Sequence, residues 1–286
     1  MRLSGAVLAA ALSIAATHAS PTAASESHFA NFDIASVIKV RVPDSHARMS
    51  KLILIPKQVP ASGSSFKLAA AESIKTQNWA GASKSGNNIT SVTTTVTVPG
   101  IRIDPDGWTT GMAIFAAIDG FYTCQAELLA TGIVLSAIKG ADPRGNEFHA
   151  FWRWLPYSGG SNNQVNFPIK TGHKIRLSIT VFSPYSAKGL IENLSTGQSD
   201  NRILSSNKPL CAVDASWVVG RYQSMGEWMR WADFVEPVTM TEVSATTGAG
   251  ETLNLEGADL LDIEDEGRAF TSCKIDSSSS LSCAHV

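Results

Sequence analysis

From Gln77 onward the chain is written in short runs rich in Val, Thr and Ile, cut repeatedly by Gly, Pro, Asn and Ser, and no helical period is sustained anywhere in it. Ile89 to Val98 shows the pattern: Val92, Val96 and Val98 share one parity, and Pro99-Gly100 ends the run. β-branched residues alternating at period two make a pleated surface with one buried face. Similar runs cover Met112–Ile118, Phe121–Val134, Glu147–Leu155, Lys174–Phe182, Ser216–Tyr222, Val238–Val243 and Ala269–Ile275. Turn-rich stretches separate them, at Asp104 to Gly107, Pro156 to Asn163 and Leu194 to Gly197. Many short strands without helices predict an all-β sandwich or jelly roll, formed as one domain over residues 77–286.

The residues ahead of that domain read differently. Arg2 is a short basic start, Ala6 to Ala16 is apolar and alanine-rich, and Thr17-His18-Ala19 offers small residues around a cleavage point. The apolar run is well short of the ~20 residues a membrane span needs, so residues 1–19 are expected to be a secretory signal and the protein to be extracellular. Residues 20–76 are uneven, net basic and linker-like, with one strand-like stretch from Lys51 to Pro56. They are expected to be a pro-segment or leader.

An oxidising compartment makes disulfides the default for the four cysteines, Cys124, Cys211, Cys273 and Cys283. Cys273 and Cys283 flank the serine turn Ser277 to Ser280 and are expected to pair across a hairpin, which leaves Cys124 with Cys211. No Cys-x-x-Cys or histidine cluster points to a metal, and no cofactor is expected. Asn88-Ile89-Thr90 and Asn193-Leu194-Ser195 are glycosylation sequons. With 23 basic against 25 acidic residues and a net charge of -2, no global field draws the chain to nucleic acid or an anionic membrane, and a monomer is expected.

The ordered motifs carry a resemblance. Asn78-Trp79-Ala80-Gly81-Ala82, Thr95 to Pro99, Ile118-Asp119-Gly120, Thr123-Cys124-Gln125 and Leu128-Leu129-Ala130-Thr131-Gly132 come first. Ala150 to Pro156, Ile191 to Gln198, Asp214 to Val219, Trp231 to Phe234 and Asp262 to Glu264 follow. In this order they resemble the eqolisins, the glutamic peptidases. The resemblance implies a secreted precursor, a sandwich of two curved antiparallel sheets, and acid endopeptidase chemistry without metal or covalent intermediate. It implies a glutamate as general base and a glutamine that steadies the oxyanion. Those two positions are Ser216 and Ala130 here, and a third carboxylate position is Arg153.

Neither replacement can perform the task. Losing a general base typically costs ~10²–10⁴ in rate and losing one oxyanion donor ~10²–10³. On a strand only alternate residues share a face, so Leu128 and Gly132 accompany Ala130, Asp214 and Val218 accompany Ser216, and His149, Phe151 and Leu155 accompany Arg153. The resemblance implies cleft aromatics at Trp79 and Phe115, and with Asp119, His149, Phe151, Arg153 and Asp214 these are the expected cleft residues. The reading is a family member inactive as a peptidase that binds a peptide or an anionic small ligand. Arg153 either meets the ligand or bridges Asp119 or Asp214 internally, and three alternatives stand beside the reading: repurposed chemistry through His149 with Arg153 or Asp214, an active endopeptidase with a displaced dyad, and a lectin-like sandwich using tryptophans. No Gly-x-Ser-x-Gly elbow, phosphate loop or dinucleotide fingerprint occurs.

Overall fold

The computed structural model describes residues 73–102, 106, 110–121, 124–137, 146–155, 165, 167–221, 223–224 and 227–286. The expected signal and most of the expected leader lie outside them.

In chain order the strands are β1 (Ile74–Thr76), β2 (Trp79–Ser85), β3 (Ile89–Thr97), β4 (Thr110–Asp119), β5 (Leu128–Ala137) and β6 (Asn146–Leu155). Next come β7 (Lys174–Ser183), β8 (Ser186–Asn193), β9 (Gln198–Ser205), β10 (Asp214–Gly220), β11 (Gln223–Ser224), β12 (Glu227–Trp228) and β13 (Arg230–Trp231). The last are β14 (Val238–Thr247), β15 (Thr252–Leu253), β16 (Asp259–Asp265), β17 (Arg268–Ala269), β18 (Thr271–Ser277) and β19 (Ser280–His285). One sheet runs β1-β16-β2-β10-β4-β5-β6 and the other β18-β19-β14-β3-β7-β8-β9, with β13, β17 and β15 attached at their sides. Pairing is antiparallel except for β1 on β16 and β13 on β4. Among the described residues no helix is long and apolar enough to cross a membrane.

Alternation in the first sheet sorts its side chains into two layers. Ala80, Ala82, Ile114, Ala116, Ile118, Leu129, Ile133, Trp152, Trp154 and Trp217 join the core between the sheets. There they meet Val92, Val96, Leu177, Ile179, Ile191 and Met240 of the second sheet. Most of the tryptophans are therefore spent on packing, as expected for large apolar rings. Trp152 lies against Gly189 of β8, where an added Cβ would overlap its indole, and the Arg202 guanidinium sits 5.4 Å above the ring. The opposite layer is a second, separate cluster.

Several expected boundaries shift. Within the Phe121–Val134 run the described strand starts at Leu128, and ahead of it Gly120 N–H donates to the Cys124 carbonyl (2.8 Å). The Val238 run continues to Thr247 through an irregularity at Glu242, whose φ is 53°. The domain itself begins before Gln77. Ile74, Lys75 and Thr76 pair with Leu261, Asp262 and Ile263 of β16, so the edge strand is drawn from the segment assigned to the leader.

Candidate ligand-binding cleft

The outer layer of the first sheet is where the expected site residues gather. Strand register places Ser83, Ser216, Ala117, Ala130 and Arg153 in one continuous row across β2, β10, β4, β5 and β6. Ala130 and Ser216 are thus two strands apart with Ala117 between them, roughly 10 Å at normal strand spacing. The Ser83 and Ser216 hydroxyls hydrogen-bond each other at 2.9 Å. Beyond Ser83 the row ends at Asp259 of β16, an exposed carboxylate that strand parity within any one run could not have linked to Ser216. The centre of the row is small and neutral, and charge stands only at its ends.

One step along the strands, Val218, Phe115, Gly132 and Phe151 form the next row. Gly132 is required there, since an added Cβ would overlap the Ile114 carbonyl and the Phe115 side chain. Beyond it Gly220, Ala113, Val134 and His149 follow, with Trp79 paired to Gly220. Trp79 lies over Gly220 and meets Phe115 edge-on at 5.3 Å and Phe121 at 5.7 Å, while Phe115 meets Phe151 at 6.0 Å. These rings form a continuous aromatic wall beside the small row. Trp79, Phe115 and Phe151 are nearly buried, and Arg153 is 7% exposed.

On the other side of the small row stand the pair Ser85 and Asp214 and, separately, the run Asp119, Leu128 and Leu155. Asp214 is buried and its Oδ1 accepts the Ser85 hydroxyl at 2.9 Å. Asp119, expected in the cleft, is fully buried. Its carboxylate accepts the backbone N–H groups of Ala212 (2.8 Å) and Val213 (2.9 Å), which clamps the segment leading into β10. Asp119 itself has φ 62°, followed by Gly120 at 89°, and this left-handed pair is the physical content of the Asp-Gly motif.

Burial pushes the Asp119 carboxyl up from its ordinary value; three backbone N–H groups oppose this, and the Asp214 charge reinforces it. Burial likewise raises Glu127, which Lys208 pulls down. A raised folded-state pKa means the folded protein holds its proton longer than the unfolded chain. The resulting stability is whole below the ordinary pKa and is lost as pH rises through the raised value. Wild type should therefore exceed Asp119→Asn in urea midpoint by more at pH 4 than at pH 7. Groups remote from Asp119 cancel in the difference, while Asp214 and Glu127, coupled to it, lose a like-charged neighbour in the variant and shift the gap in the same direction, so a gap independent of pH would contradict the assignment.

Both disulfides form as expected, Cys124–Cys211 and Cys273–Cys283. The Asp119, Cys124 and Cys211 ligand atoms lie near one another, but both sulfurs are spent in the bridge and hold no metal. The two sequons part company. Asn88 is exposed in the turn between β2 and β3. Asn193 is fully buried, its Nδ2 donating to the Pro168 carbonyl (3.2 Å) and paired with His173 Nδ1 (2.8 Å). Its Oδ1 accepts Ser195 N–H at 3.1 Å. The expectation of a glycan at Asn193 is corrected: no hydrogen and no space remain for one.

Comparison with known proteins agrees with this architecture. Aspergillopepsin-2 of Aspergillus niger is 29% identical over 217 residues, covering 69% of this chain and 74% of its own. Scytalidopepsin B of Scytalidium lignicola is 27% identical over 226 residues, covering 76% and 81%. Among solved structures, scytalido-glutamic peptidase with a transition state analog inhibitor superposes with a TM-score of 0.63 at 26% identity, covering 73% of this chain and 98% of that one. Aspergilloglutamic peptidase from Aspergillus niger gives 0.54 at 28%, covering 62% and 99%. The Peptidase A4 family model matches residues 77–285, the stretch that forms both sheets apart from β1, and the chain belongs to the Peptidase A4, or eqolisin, family.

Proposed function

We propose that this is a secreted eqolisin that does not hydrolyse peptides and instead binds a peptide or an anionic small ligand in the cleft of the first sheet. The observation that carries the reading is the row Ser83–Ser216–Ala117–Ala130. Hydrolysis needs a group that takes a proton from water and a donor that meets the developing oxyanion, and this row supplies two hydroxyls bonded to each other and two methyl groups. A serine hydroxyl without an activating base is a poor proton acceptor. Relatives of this fold have been solved with a peptide based transition state analog and with the tripeptide Ala-Ile-His, which supports a peptide as the class of ligand. Arg153 at one end of the row favours a carboxylate, because its planar fork pairs with one bidentately.

Digestion of a denatured protein across pH 2–7 should show no cleavage by the wild type, while peptide binding is retained. Acidic peptides should bind several-fold more tightly than neutral ones, and Arg153→Ala should erase the difference. Equal affinity for both classes in the wild type removes Arg153 from the site.

One observation favours a second reading. The two buried carboxylates Asp119 and Asp214 are coupled, and the Asp214 charge adds to the rise in the Asp119 pKa that burial causes. Carboxylate pairs that share a proton run acid hydrolysis elsewhere. Under this reading the wild type cleaves at acid pH and Asp214→Asn abolishes the activity.

A further inference from the structure

Away from the cleft, a groove of about 360 Å³ lies between the β2–β3 turn, the tip of the β7–β8 hairpin and the segment leading into β10. Its volume suits one small ligand, near the lower end of the ~300–1,000 Å³ usual for such sites. Asn88, Ile89 and Thr90, one complete sequon, form one wall. Phe182 stands in the lining, 60% exposed, an unusual position for a large apolar ring.

The backbone holds Asn88 in place and leaves its carboxamide available. Its φ is 51°, its carbonyl accepts Gly248 N–H at 2.7 Å and Ile89 N–H donates to the Ala212 carbonyl at 2.9 Å. An added Cβ at Gly248 would overlap Asn88 Nδ2, so the amide nitrogen lies against this glycine, which is not among the groove's lining residues, and a side-chain rotation brings it to the groove. Asn193 offers the opposite case, with its amide buried and bonded on both sides.

We propose that Asn88 is an N-glycosylation site and that the first sugar of its glycan seats in this groove against Phe182. Attachment joins Asn88 Nδ2 to the anomeric carbon of a lipid diphosphate-linked oligosaccharide. The new C–N bond forms as the anomeric C–O bond breaks, the lipid diphosphate leaves, and the amide gives up one proton. The sugar's C–H face covers the Phe182 ring and removes apolar surface from water. Attachment occurs on the chain as it enters the secretory lumen, so the folded structure acts as a filter: a glycan on Asn88 is carried outward, and one on Asn193 prevents the β8–β9 turn from closing.

The test separates this from the function of the chain's own leader. The full chain is expressed in yeast with a yeast secretion leader ahead of residue 1, and both secreted and lumen-retained protein are mapped by mass spectrometry. Asn88 should be occupied and Asn193 bare in all folded protein. An occupied Asn193 in folded protein, or a bare Asn88, overturns the site. A glycosidase acting on the native protein should release the Asn88 glycan at least ten times faster from Phe182→Ser than from wild type, with Asn88 equally occupied in both. Equal release rates overturn the seating.

Discussion

On the proposed reading, Ala130→Gln with Ser216→Glu should confer acid endopeptidase activity that the wild type lacks. The two positions share one row two strands apart, with only the Ala117 methyl between them, so long side chains from both converge above the sheet. Restoring a base is worth ~10²–10⁴ and restoring an oxyanion donor ~10²–10³. Groups that act together are not additive, so each single substitution should gain little and the pair at least about 10³ over wild type. Arg153→Glu should add to the gain, because a guanidinium opposite Ala130 stabilises the ionised glutamate and lowers its basicity. Peptide products measured by mass spectrometry at pH 2–5 decide the matter. A properly folded double variant with no activity would show that more than these two side chains has been lost.

Gly81→Ala should unfold the cleft sheet more readily than any conservative surface change. Gly81 has φ 129°, and an added Cβ would overlap the Trp217 carbonyl oxygen and press on Val218 Cα of the neighbouring strand. Both obstacles are backbone in the middle of the sheet, so no rotamer relieves them. Positive-φ strain and overpacking each cost ~1–3 kcal/mol, which places the loss at about 3 kcal/mol or more. For a domain of this size that corresponds to a fall in Tm of about 10 °C. Gly172→Ala serves as the control. Its φ is 84° and nothing lies within 4 Å, so it carries the backbone strain without the collision and should cost the smaller share. Equal losses in the two variants would remove the close approach of β2 to β10 as the reason for the glycine.

Much of this protein is legible as text because a strand's two faces follow from counting by twos. Trp79, Phe115, Ala130, Phe151 and Val218 fall in the outer layer, and Trp152, Trp154 and Trp217 in the core, as their parity requires. Motif glycines at 81 and 132 mark places where another atom occupies the space of a side chain. Cysteine pairing across the Ser277–Ser280 turn is likewise a local inference, and the second bridge follows by elimination.

Other features had no local signal. Nothing near Asp119 in the chain announces that its carboxylate holds the backbone of residues 212 and 213. Asn193 carries the same three-residue signature as an exposed sequon, yet it is sealed by Pro168 and His173, twenty or more residues away. Ser83 and Asp259 enter the central row only through pairing with β10 and β16.

By itself, then, the order of residues determined the all-β class, the family and which side chains share a face. Only the tertiary structure decided which strands lie side by side, what each buried carboxylate bonds to, and which asparagine remains open. The reason is that periodicity is a property of consecutive residues, whereas register and enclosure arise from contacts between segments far apart in the chain, where many pairings would satisfy the same local pattern and packing selects one.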